Sequence, residues 1–196
     1  MATAQIQFPV GLPTPKVGDL AKYRTLDLWN NSELSASENE LVEISANNFV
    51  TRFKSSVNSE PSTSRSDRSW NACRSMRNSD AIVCEGSLRF PIQSGNKHSY
   101  KDYPNDTGRS KFDAACEVIG QEKVTVSAGI FDTIRINCAG FYTRIFDGNW
   151  SGKFNSITWY SPAINRIVKS QYFDFNAGGT AFNKNQTELV EFTAGK

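Results

Sequence analysis

Few residues in this sequence carry obvious chemistry. His98 is its single histidine and the one imidazole that could serve as a general base. It lies in the polar stretch Lys97-His98-Ser99-Tyr100-Lys101, and no nucleophile motif accompanies it to suggest a triad. The ordinary reading is an exposed histidine. Asp132 and Asp147 fall in or near turns, where aspartate caps and bends backbone. Paired-carboxylate catalysis would need a second acid converging from another strand. No G-x-S-x-G elbow, phosphate loop or calcium loop occurs. The residues therefore imply no catalytic group, cofactor or metal, and a hydrolase of unknown type is the second alternative among functions.

The four cysteines, Cys73, Cys84, Cys116 and Cys138, match no zinc spacing and contain no Cys-x-x-Cys. An even count in a Ser- and Asn-rich, strand-forming chain fits a disulfide-permitting compartment. A turn at Arg77-Asn78-Ser79-Asp80 would set Cys73 opposite Cys84, leaving Cys116 and Cys138 to pair across or beside the next hairpin. Free buried thiols are the alternative. Basic residues concentrate at Arg52, Lys54, Arg65, Arg68, Arg74 and Arg77, but without regular aromatic interleaving. With 22 basic and 20 acidic residues and a net charge of +2, the chain is not a dedicated polyanion binder, and no nucleic-acid partner is expected.

The aromatics offer a better site. Trp29, Tyr142, Phe146, Trp159, Tyr160 and Tyr172 fall on expected strands and are candidates for holding an apolar ligand, with Phe192 on the last strand. Core is the default for any one of them. A strongly curved sheet, however, leaves a concave face larger than its own side chains can fill. Trp70 and Trp150 lie in loops and are candidates for a partner surface.

The elements that must position these residues are strands. Aromatics make up 12% of the 196 residues, with only two Met, a balance that favours sheet over helix. The clearest element is a hairpin over Cys116–Arg144, turning at Ser127-Ala128-Gly129. Val118, Val124 and Val126 share one parity on the way in. Phe131, Thr133, Arg135 and Asn137 alternate with Ile134, Ile136 and Cys138 on the way out. Further strands are expected in Ala21–Trp29, Glu40–Ser45, Phe49–Phe53, Ala81–Cys84, Ser87–Phe90, Phe141–Phe146, Asn155–Tyr160, Arg166–Tyr172 and Glu188–Phe192. Residues 55–69, Ser-rich with a proline, read as a loop, and one short helix is expected around Gly108–Cys116. Gly18-Asp19 before Tyr23 is echoed by Gly95-Asn96 before Tyr100, a faint two-fold repeat.

The predicted fold is mainly β: a single antiparallel, strongly curved sheet, a half-barrel or open barrel, with one or two short helices. Residues 1–17, with three prolines, are expected to be an extended tail or an edge strand through Ala4–Val10, and 18–196 a single β-rich domain. No stretch approaches the roughly 18 consecutive apolar residues of a membrane-spanning helix. No charged start or apolar run makes a signal peptide, so an exported form is expected to have lost a leader ahead of Met1.

Three segments resemble a known family. Gly120-Gln121-Glu122-Lys123-Val124-Thr125-Val126-Ser127-Ala128-Gly129-Ile130-Phe131-Asp132 is similar to its "G-x-E-x-V-T-V-P-A-G-T-F-D" hairpin. Thr158-Trp159-Tyr160-Ser161-Pro162 with Ile167-Val168-Lys169 resembles its "W-Y-x-P…V-K" hairpin, and Leu88-Arg89-Phe90-Pro91 with Gly95-Asn96-Lys97-His98 its "F-P-L-x-x-G-K-x-W" segment. Ser127 stands for the family's Pro, Ile130 for its Thr, Asn96 for its Lys and His98 for its Trp. These are bacterial exported proteins of unknown function with a curved β half-barrel resembling periplasmic lipoprotein carriers. The resemblance covers residues 85–175 and implies a periplasmic or extracellular, non-catalytic binding or carrier module. Its partner would be an apolar small molecule, a lipid or a protein segment held on a concave sheet. The alternative is a structural or assembly subunit of a cell-surface complex or fibre, self-associating through the N-terminal segment.

Overall fold

The computed structural model describes residues 5–57, 60–145, 148, 150–176 and 178–196. Among the described residues twelve strands follow one another: β1 (Leu20–Asp27), β2 (Glu33–Ile44), β3 (Asn48–Ser55), β4 (Ser62–Asp67), β5 (Cys73–Ser75), β6 (Ile82–Cys84), β7 (Lys97–Pro104), β8 (Ser110–Val126), β9 (Gly129–Arg144), β10 (Ser151–Ser161), β11 (Arg166–Phe175) and β12 (Ala181–Thr193). Ten of them form one antiparallel sheet in the order β4-β3-β2-β1-β12-β11-β10-β9-β8-β7, and β5-β6 form a separate hairpin. The large sheet is not closed. It consists of two meanders, β1–β4 and β7–β12, sealed where β1 pairs with β12 from Leu20↔Thr193 to Asp27↔Asn185. The repeat segments therefore differ in position: β1 lies inside the sheet and β7 at its edge.

Several sequence expectations are corrected. Among the described residues there is no helix. Gly108 turns the chain and Ser110–Cys116 is the start of β8, paired with β9 from Ser110↔Arg144 onward. The β-branched and aromatic partners across that pair outweigh the local helix signal. Part of the expected 55–69 loop is β4, whose serines and threonine gain a partner in β3 (Phe53↔Ser62 to Asn48↔Asp67). Ser87–Phe90 is not strand; Leu88 inserts into the core instead. Trp29 lies beyond β1, in the turn where its N–H bonds Asp27 Oδ1 at 2.7 Å.

The β8–β9 hairpin forms as expected, with Gly129 at φ +132° in its turn. One parity is broken. A bulge between Val118 and Gly120, with Gly120 at φ +140°, puts Val118 on one face and Val124 and Val126 on the other. Val118 packs with Leu88, Ile92, Cys116, Ile134, Ile136, Cys138 and Tyr160. Val124 and Val126 pack with Ala21, Trp159, Val168 and Leu189. The hairpin tip reaches β12, where the Ala128 N–H donates to Leu189 O at 3.1 Å and Ser127 Oγ to Glu188 Oε1 at 2.9 Å.

Both disulfides are cross-strand. Cys73–Cys84 joins β5 to β6 in the register expected, and Cys116–Cys138 joins β8 to β9. Val10 makes an antiparallel bridge with Ile92, and Ile6 and Phe8 pack beside it on the first core cluster.

Candidate functional site

The register of the large sheet builds several clefts. On one face a cross-strand row runs Ser99, Ala115, Ala139, Asn155, Phe173, and the next runs Lys97, Glu117, Asn137, Ile157. Side chains of one parity share a face, so these rows stand side by side. Ala115 and Ala139 are too small to cover their backbone. Ile119, Ile157 and Phe173 rise around them, leaving an open trough of about 770 Å³. Ile119, at the bulge, is 49% exposed. Lys97 and Glu117 close one end with an ion pair at 3.5 Å. The intervening residues Cys116 and Cys138 face the other way, into the core, and their disulfide fixes the register that aligns Ala115 with Ala139.

The second cleft, of about 290 Å³, lies between β1–β4 and the start of β11. Tyr23, Ser37, Asn39, Thr51, Ser64 and Thr187 contribute hydroxyl and amide groups to its walls, and Trp70 and Arg166 also line it. Arg166 is 5% exposed, and among the described residues it makes no ion pair and its Nε and Nη2 have no hydrogen-bond partner. Burial lowers its pKa, although Tyr23, Asp19 and Tyr160 act in the opposite direction. Its guanidinium lies 3.8 Å over the Trp70 ring. Trp70 packs on Phe49 at 4.3 Å between ring centroids, and Arg68 covers Phe49 at 4.6 Å. The result is a stack of guanidinium, phenyl, indole and guanidinium. Trp70 holds a left-handed φ of +66°, which Asp67 enforces by accepting the N–H groups of Ser69 (2.8 Å) and Asn71 (2.9 Å) on Oδ1. Tyr23 donates to Ile167 O at 2.9 Å, and burial pushes its hydroxyl pKa up to about 12.

The six aromatics expected to hold a ligand are dispersed. Tyr160 is fully buried and Trp159 and Tyr142 are buried. Trp159 donates from Nε1 to Glu122 Oε2 at 3.0 Å, with Lys169 Nζ 5.0 Å from its ring. Tyr172 stacks on Phe154 at 5.8 Å and lines a third, aromatic cleft with Tyr100, Tyr103 and Phe112. Trp29 is 58% exposed beneath the Lys184 ammonium, and Phe146 lies outside the described residues, as does Asp147. Of the two loop tryptophans, Trp70 is half-buried in the Arg166 cleft. Trp150 is 38% exposed with Arg144 over its ring at 5.0 Å.

His98 is half-buried rather than exposed, its Nε2 within 3.0 Å of Gly86 O. Asp132 pairs with Lys123 at 3.3 Å. Among the described residues no cluster of His, Cys, Asp and Glu could hold a metal ion, and no helix is long and apolar enough to cross a membrane. Sequence reasoning passed over Arg166, Ala115 and Ala139. The turn Ser161-Pro162-Ala163-Ile164-Asn165 announces a strand start at Arg166, but nothing local distinguishes a buried arginine from a solvated one.

No protein-family model and no curated protein matches the chain. Two solved structures do. One is a Bacteroides fragilis protein described as exported with a YmcC-like fold, at 12% identity and a TM-score of 0.57 over 94% of this chain and 99% of that one. The other, from Parabacteroides distasonis and described as a lipoprotein, aligns at 13% identity with the same TM-score and the same coverage. The chain shares their fold. At this identity the likeness extends to architecture, not to activity.

Proposed function

We propose that the chain is an exported, non-catalytic binding module that carries an apolar ligand, of the acyl-chain class, on one face of a half-barrel sheet. The observation that carries this reading is the trough over Ala115 and Ala139. Two aligned small residues, with Ile119, Ile157 and Phe173 around them, leave apolar surface uncovered on the β7–β11 end of a broad sheet. Exposed apolar surface of this kind is where soluble proteins meet ligands. Two disulfides, and fold neighbours described as exported and as a lipoprotein, support a periplasmic or extracellular site of action.

Native mass spectrometry with palmitate and with lysophosphatidylcholine tests the reading. The expected result is a bound mass for the wild type that is lost in Ala139→Trp, which fills the trough from an exposed position. Absence of bound mass in the wild type, or equal binding by the variant, refutes it.

A further inference from the structure

A buried guanidinium without an acceptor is expensive, because desolvation of the charge is not repaid by a partner. Proteins tolerate such a group where a ligand supplies the missing acceptor. Arg166 satisfies these conditions. Its Nε and Nη2, both unpartnered, form one edge of the guanidinium fork, with two N–H groups directed in parallel. That edge matches the two oxygens of a carboxylate or phosphate group. Aromatic stacking on Trp70 fixes the plane of the fork without consuming any of its N–H donors.

Two further buried donors without partners, Ser66 Oγ and Trp70 Nε1, belong to residues that line the same cleft. The walls add the hydroxyls of Ser37 and Thr51, the amide of Asn39 and the Thr187 hydroxyl, which also meets Thr25 Oγ1 at 3.0 Å. No carboxylate lines the cleft, and Asp19, whose charge acts on Arg166 from outside it, accepts from the Lys16 and Gly195 N–H groups at 3.0 and 2.7 Å. We propose that this cleft binds a small, hydroxyl-rich anion, with its carboxylate or phosphate group drawn to the Arg166 guanidinium that lines it and its hydroxyls on the Ser/Thr/Asn walls; Nε and Nη2 are closed to solvent, so binding shifts the fork within its plane toward the cleft. This site is separate from the trough, and its existence does not depend on an apolar ligand there.

The test is a ¹⁵N NMR titration of the full chain with D-glucuronate, D-glucose 6-phosphate and neutral D-glucose, each up to about 10 mM. At least one anion is expected to shift the Trp70 indole N–H saturably, and glucose is expected to leave it unmoved. The anion that acts identifies the head group. Arg166→Met, which keeps the stem length and removes the charge, is expected to bind at least about 10-fold more weakly and to melt at a higher temperature than the wild type. Ser64→Trp, on the exposed edge strand at the mouth, is expected to block binding without changing the fold. The proposal is overturned if neither anion moves the Trp70 resonance, if glucose moves it equally, or if either variant binds as the wild type does. An Arg166→Met protein that melts lower than the wild type also overturns it, because the guanidinium would then be structural.

Discussion

Glu188 is the residue that ties the tip of the β8–β9 hairpin to the seam between the two meanders. Its side chain is 9% exposed. Oε1 accepts from Arg24 Nε (2.9 Å), Arg24 Nη2 (2.7 Å) and Ser127 Oγ (2.9 Å), and Oε2 from Gln186 Nε2 (3.0 Å). Glu188→Gln preserves the volume and removes the charge. Three bonds on Oε1 lose their ionic assistance, on the order of 0.5–1 kcal/mol each. The new amide N–H₂ would face Gln186 Nε2, which cannot turn freely because Gln186 Oε1 already accepts from Gln171 at 2.8 Å. Arg24 is 39% exposed, so water recovers part of its loss and the 3–5 kcal/mol of a fully buried broken pair is too large. The expected destabilisation is about 1.5–3 kcal/mol, read as a lowered urea midpoint at unchanged m-value. Hydrogen exchange supplies a local readout: the Ala128 amide, bonded to Leu189 O, should lose protection before the rest of β8. A loss under about 0.5 kcal/mol, or an Ala128 amide as protected as in the wild type, would show that the hairpin tip is held by the Val124–Leu189 contacts alone. Glu191→Gln, which breaks the exposed pair with Lys22 (2.9 Å), is the control and should leave the midpoint unchanged.

The remaining predictions concern pH and covalent ties. Burial raises the Asp174 carboxyl pKa more than the nearby Tyr142 hydroxyl and Phe175 backbone lower it. The folded state therefore keeps this proton to higher pH than the unfolded chain does. Its contribution is fully present below the ordinary carboxylate range and is lost as pH rises through the elevated folded value. Asp174→Asn should show a smaller decline in melting temperature above about pH 4 than the wild type, and parallel profiles would contradict the assignment. Replacing Cys116 and Cys138 together by Ala opens a loop with a sequence separation of 22. Chain entropy sets an upper limit of about 3 kcal/mol, which the extensive β8–β9 pairing reduces. Denaturant melts check the figure, and a loss well above it would mean that the disulfide also repairs a native packing defect.

Period-two alternation was enough to place the hairpin from Cys116 to Arg144, because a half-buried strand must send alternate residues to opposite environments. The same local reasoning set Cys73 against Cys84, since a tight turn fixes register over so short a span. It failed where a neighbour far along the chain decided the outcome. Val118 and Val124 have one parity in the sequence, but the bulge at Gly120 sends them to separate clusters. The segment before Cys116 has helix-compatible residues and became strand because β7 and β9 lie on either side of it. Ser62–Asp67 looks like loop until β3 supplies its hydrogen bonds.

Both clefts belong to this second class. Ala115 and Ala139 are unremarkable alanines 24 positions apart by their numbering, and only antiparallel register sets them side by side. Arg166 reads as a surface cation, and its burial follows from where Trp70 and the β1–β4 meander are placed around it. Sequence determined the strand content, the central hairpin and the cysteine register, because these depend on residues close in the chain. The strand order, the bulge-directed split of the core and the unpartnered arginine were decided by tertiary structure, because each arises from contacts between segments whose separation leaves no periodic trace in the sequence.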